Sequence, residues 1–169
     1  FNAVNGGTAF IKIIPSAENR VEIKYQSDIK DHGFAVTAKN GELKISADQG
    51  THFRTECFEV TVYANCDSVS INGGIELLMD GVSTESLEID VQGAVKAQIA
   101  DAHADSMSIK VDGAGEFDIN GDVDTFSAEF NGAGELRAME LICKDASISI
   151  SGAGEAEISC SGTLSTDIS

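Results

Sequence analysis

The sequence predicts an all-β protein in which residues 67–169 form a right-handed parallel β-helix, a solenoid of about 20 residues per coil. Residues 1–66 are expected to form an N-terminal β-strand region that contains a hairpin and packs on or caps the solenoid. Three observations predict this. Glycines recur at Gly73, Gly93, Gly113, Gly132 and Gly152, with spacings of 20, 20, 19 and 20 residues. Apolar residues on either side of them fall into columns with a period of two. No segment sustains the 3.6-residue apolar period of an amphipathic helix.

The N-terminal elements follow from alternation bounded by turn residues. Thr8 to Ile14 reads as a strand closed by Pro15, which cannot donate to a ladder. Arg20 to Gln26 is a second, with Val21, Ile23 and Tyr25 on one face and Glu22 and Lys24 on the other. Phe34–Lys39 and Glu42–Ala47 flank Asn40-Gly41, a dipeptide suited to the positive φ angles of a type I′ turn, which predicts the hairpin. Asp48–Glu56 has no periodicity and is expected to be a loop. Phe58–Ala64 alternates again, with Phe58, Val60 and Val62 facing inward. Val4-Asn5-Gly6-Gly7 resembles Ile71-Asn72-Gly73-Gly74 and is a candidate degenerate copy of the repeat.

Within the array, one column holds Leu87, Met107, Phe126, Ala146 and Leu164, and the next Val69, Ile89, Ile109, Ala128 and Ile148. A third holds Ile71, Val91, Val111, Phe130, Ile150 and Ile168. Beyond the glycine, Leu77, Ala97, Phe117, Leu136 and Ala156 precede Met79, Ile99, Ile119, Ala138 and Ile158. A unit of this size cannot bury its apolar face alone and must stack on its neighbours. Large residues meet small ones in adjacent coils, as Phe117 meets Ala97 and Phe130 meets Val111. The recurring Gly-Ala-Gly is expected at a corner, with its first glycine in a conformation costly for other residues and Ala114, Ala133 and Ala153 turned inward. Asn72, Gln92, Asp112, Asn131 and Ser151, which precede the glycines, are placed to form a hydrogen-bonded ladder.

Composition limits the partners. The chain has 169 residues, 28 acids against 11 bases, a formal charge of −17, and 42% hydrophobic residues without tryptophan. Its length suits one domain. Its charge argues against nucleic acid and anionic membrane as partners, since both require a basic footprint. No apolar run approaches the 18 or so residues of a membrane span. Beginning at Phe1, the chain reads as a mature or trimmed fragment.

Cys57, Cys66, Cys143 and Cys160 show no C-x-x-C pair, and free buried thiols are the expectation. With an extended strand between them, Cys57 and Cys66 would lie about 30 Å apart and could not bond.

The repeated corners Asp112–Glu116, Asn131–Glu135 and Ser151–Glu155, with the alternating N-terminal half, resemble the DUF2807 family, the auto-transporter adhesin head GIN domain. The resemblance covers most of the chain. It implies a β-helical fold and an exported protein of the cell envelope, periplasmic or at the cell surface, and brings no catalytic residues with it. The chain departs from the family pattern at Asn65-Cys66, where a proline-containing entry to the array is usual, and in reaching Ser169 in mid-repeat.

The candidate ligand-binding column is Glu116, Glu135 and Glu155, in line with Glu76 and Lys96. Carboxylates about 5 Å apart repel by roughly 1 kcal/mol in water, which a bound Ca²⁺ could offset; a solvated acidic face is the simpler expectation. Asp118, Asp122 and Asp124 lack the spacing of a calcium-binding loop. His32, His52 and His103 have no ligand spacing, and Gly-Ala-Gly-Glu lacks the third glycine and helix of a dinucleotide site. No cofactor is expected.

The functional expectation is a non-enzymatic binding module for a glycan or protein at the cell surface, with self-association open to it. The alternatives are a structural envelope protein and a β-helix polysaccharide lyase or hydrolase. The latter rests on fold analogy alone, in a chain whose only arginines are Arg20, Arg54 and Arg137.

Overall fold

Alternation of apolar and polar side chains becomes eight strands in the computed structural model, which describes residues 8–25, 35–39, 41–46 and 58–169. These are β1 (Thr8–Ile14), β2 (Arg20–Tyr25), β3 (Ala35–Lys39), β4 (Glu42–Ser46), β5 (Phe58–Tyr63), β6 (Ser68–Asp80), β7 (Ser83–Cys160) and β8 (Leu164–Ile168). The described residues contain no helix. The expected loop at 48–56, the repeat-like Val4–Gly7, His32, His52 and Cys57 lie outside the described residues. β3 and β4 pair antiparallel as a hairpin with Lys39 opposite Glu42, and Gly41 has φ +80°; Asn40 is likewise outside.

The remaining strands form one sheet in the order β2-β5-β1-β6-β7-β8. β6 pairs parallel with the start of β7, Ser68 opposite Glu88 and Asp80 opposite Ala100, so each residue meets the one twenty positions later. β7 is one continuous extended run that returns on itself: the backbone of Gly113 lies against that of Gly93, and Gly132 against Gly113. β8 then pairs with the stretch Ala146–Ile150.

The expected columns supply most of the core, with Ala156 and Ile158 only partly buried. Val69 lies opposite Ile89, Ile71 opposite Val91, Leu77 opposite Ala97 and Met79 opposite Ile99, and all are buried. These columns continue past the array into the N-terminal strands. β1 inserts between β5 and β6, parallel to both, which sets Ile11 on Leu77 and Ile13 on Met79. Val60 and Val62 of β5 then cover Ile11 and Ile13. Antiparallel β2 finishes the sheet with Val21 and Ile23 half-buried. At the opposite end Leu164 and Ile168 keep the inward alternation yet stand exposed.

One expectation is overturned at the corner. Ala114, Ala133 and Ala153 point outward and are exposed, while Gly115 and Gly134 face the core and are buried. Alternation decides this: the residue before Phe117 or Leu136 by two positions must share its inward face. A Cβ on Gly134 would lie 2.6 Å from the Phe130 ring, and one on Gly115 would lie 2.9 Å from Phe117 and 3.3 Å from Phe130. Earlier copies of the repeat carry buried Ile75 and Val95 at this position. Volume lost from the corner is thus refilled by Phe117 and Phe130, which meet edge to face with centroids 5.9 Å apart.

Gly132 shows why the first corner residue is glycine. Its φ is +134°, and an added Cβ would stand 2.2 Å from the carbonyl oxygen of Gly113. Both the torsion and the closeness of the neighbouring coil exclude a side chain.

Candidate functional site

Turning the alanines outward gives the corner an external surface that the sequence-level expectation lacked. Ala94, Ala114, Ala133 and Ala153 line up as a row of exposed methyls, the floor of a shallow open trough of about 770 Å³. Adjacent parallel strands stand about 4.8 Å apart, so four neighbouring strand segments give a floor roughly 14 Å long. Lys96, Glu116, Glu135 and Glu155 form one wall. The polar residues that precede the glycines, Asn72, Gln92, Asp112, Asn131 and Ser151, are exposed. Asn131 Nδ2 donates to Asp112 Oδ1 at 3.0 Å, one rung of the expected ladder, and also to Glu129 Oε1 at 3.0 Å.

The candidate carboxylates are neutralised from within the chain. Lys96 Nζ lies 3.2 Å from Glu116 Oε1, as expected for an opposite charge one repeat away. Arg137 Nη1 reaches the same oxygen at 3.0 Å, and its Nη2 pairs with Glu135. Hydrogen bonds from Arg137 and then Lys96 hold the Glu116 carboxyl below the usual glutamate range, and Glu116 raises the Arg137 guanidinium in return. Arg137 was overlooked in the sequence, although the signal was there. It stands two residues after Glu135 and so shares the outward face, one repeat from Glu116.

Glu155, the third candidate, is exposed beyond this chain of pairs. Asp118, Asp122 and Asp124 are exposed as well. Among the described residues no three His, Cys, Asp or Glu side chains are grouped so as to hold a metal ion. A carboxylate engaged by arginine and lysine is a poor ligand for Ca²⁺, which has to compete with both cations.

A second corner is built by Asp101, which has φ +51°, a left-handed torsion that Asp tolerates better than most residues. Asn120 Oδ1 accepts the Asp101 N–H at 2.8 Å, and His103 Nε2 lies 3.2 Å from Asp101 Oδ1. The histidine thus has its partner in Asp101, two residues before it on the same strand.

These features define a class: an all-β repeat protein with one continuous apolar core, largely aliphatic but holding Phe117, Phe126 and Phe130, and a long, regular outer face. The chain belongs to the family described as "Putative auto-transporter adhesin, head GIN domain" (DUF2807), which it matches over residues 3–169. It is similar in structure to a protein described as "a putative adhesin" from Bacteroides fragilis, with TM-score 0.78 and 18% identity, covering 96% of this chain and 86% of that one. A "putative lipid binding protein" from Parabacteroides distasonis is similar with TM-score 0.59 and 18% identity, covering 99% of this chain and 90% of that one. At such identities the likeness is one of fold. No curated protein matches the chain. Among the described residues no helix is long and apolar enough to cross a membrane.

Proposed function

We propose that this chain is a non-enzymatic, exported binding module of the cell envelope that offers the alanine-floored trough to an extended polymer at the cell surface. The observation that carries the reading is the outward row Ala94, Ala114, Ala133 and Ala153, flanked by the charged side chains Lys96, Glu116, Glu135 and Glu155. Such a surface presents the same contact at each step, which suits a polymer with its own repeat, a glycan or an extended polypeptide. The membership of the whole chain in an adhesin-like family supports the same reading.

In its finer form the fold is a right-handed parallel β-helix of about 20 residues per coil, with residues 1–66 closing its N-terminal end. The twenty-residue register of β6 on β7 supports the coil. The strong preference of parallel strand connections for one hand supports its sense. Non-enzymatic action is supported by Glu116, whose carboxyl is held low by Arg137 and Lys96, opposite in direction to the raised carboxyl of a general acid.

The test is binding of the isolated chain to a glycan array and to extracted surface proteins, with Ala133→Arg as the comparison. Retained folding with lost binding in Ala133→Arg is the expected result. Binding unaltered by that substitution would remove the trough as the site. A structural envelope role is the second reading, favoured by the pairing of Lys96, Glu116, Arg137 and Glu135 among themselves, and uniformly negative binding would support it.

A further inference from the structure

The end of β7 brings two cysteines together in a way that neither the proposed trough nor the core packing requires. Cys143 is buried, and its Sγ donates to the carbonyl oxygen of Ser159 at 3.3 Å. Its own carbonyl oxygen accepts the N–H of Ser161 at 2.9 Å and the Ser161 hydroxyl at 3.2 Å. Cys143 is therefore bonded to the residues on both sides of Cys160, which is half-buried and packs against the same core.

The surrounding backbone holds this juxtaposition firmly. Gly162 N–H donates to Lys144 O at 2.7 Å, Thr163 N–H to Asp145 Oδ1 at 2.8 Å, and Ala146 N–H to Thr163 O at 2.8 Å. The register here tightens from twenty residues, Gly132 to Gly152, to eighteen, Ala146 to Leu164, so the last turn is the shorter one. A Cβ on Gly162 would meet Lys144 O and Asp145 Oδ1 at 2.8 Å, which leaves the turn little room to shift.

We propose that Cys143 and Cys160 are a disulfide pair that staples the last turn of the array to the strand beneath it. Adjacent parallel strands lie about 4.8 Å apart, inside the Cα separation of roughly 4.4–6.8 Å that a disulfide spans. Both are thiols in this structure, as is Cys66, which lies beside Ser68 at the start of the array. Oxidation removes two protons and two electrons from the pair and forms one S–S bond; a small-molecule or protein disulfide accepts the electrons and is cleaved to two thiols. Cys160, the more exposed sulfur, attacks that disulfide as thiolate and expels one thiolate. Cys143, whose thiol burial pushes up, then displaces the second thiolate from the mixed disulfide. The proposal is independent of where the protein resides, since it asks only that a disulfide oxidant reach Cys160.

The sequence provides its own assay. Trypsin cuts after Arg137 and Lys144, which places Cys143 in the peptide 138–144 and Cys160 in the peptide 145–169. The folded full chain is incubated with oxidised glutathione, blocked with an alkylating agent and digested without reduction. The expected result is a linked 138–144/145–169 species about 2 Da lighter than the sum of its reduced parts, with Tm raised by roughly 5–10 °C over the reduced protein. Cys160→Ser, at the less buried position, should fold, lose the linked species and lose the redox dependence of Tm. Unlinked peptides from folded, oxidised protein would overturn the proposal. So would a glutathione adduct persisting on Cys160, or linkage of either cysteine to Cys57 or Cys66.

Discussion

Gly132→Ala tests whether the corner rests on backbone geometry. The new methyl would stand 2.2 Å from Gly113 O and 3.1 Å from Gly113 C, and both atoms belong to backbone with no side-chain torsion to yield. The φ of +134° adds strain for any residue with a Cβ, on the order of 1–3 kcal/mol. Relieving the contact means moving one strand by about 1 Å, which weakens the adjacent ladder hydrogen bonds, each contributing about 1 kcal/mol net. The sum is about 3–5 kcal/mol, or a fall in Tm of roughly 10 °C for a chain of this length. The neighbouring Ala133 is exposed, so Ala133→Ser should stay within about 0.5 kcal/mol of the parent. Calorimetry and circular dichroism of both variants decide the matter. If Gly132→Ala melts within 2 °C of Ala133→Ser, the assignment of a strained, closely approached corner is wrong.

Other outcomes follow from the same contacts. Gly134→Ala should lower Tm because its Cβ would meet the Phe130 ring at 2.6 Å, and adding Phe130→Leu should cost less than the two single losses combined, read as a positive coupling in a double-mutant cycle. Glu116 titrates below the ordinary glutamate range in the folded state, so its contribution is present above the unfolded pKa and lost as pH falls through the folded value. Arg137→Met should move the Glu116 carboxyl titration upward in a ¹³C NMR experiment, and no movement would refute the pairing. Asn120→Ala removes the acceptor for the Asp101 N–H and should destabilise by about 1 kcal/mol in urea unfolding, with the m-value unchanged.

The columns were legible because they are local facts repeated. Ile71, Val91 and Val111 carry the same chemistry at the same interval, and stacking follows from the inability of one unit to bury its apolar face. The orientation of Gly-Ala-Gly was misread because glycine offers no side chain to mark a face, and only alternation counted back from Phe117 or Leu136 reveals it. Arg137 required two periods at once, the two-residue step along a strand and the coil-to-coil step. The position of β1 was beyond reach of any periodicity, since the pairing of Ile11 with Val60 on one side and Leu77 on the other spans distant parts of the chain.

That insertion bears on how the protein assembles. β1 lies between β5 and β6 in the sheet, and these two partners end only at Tyr63 and Asp80. β1 therefore has no parallel partner until the chain has passed Tyr63, and closing the loop between them adds an entropic cost to its docking. Without β1 the Leu77–Met79 edge is bare, and anything that captures β1, such as a chaperone, would leave that side of β6 open.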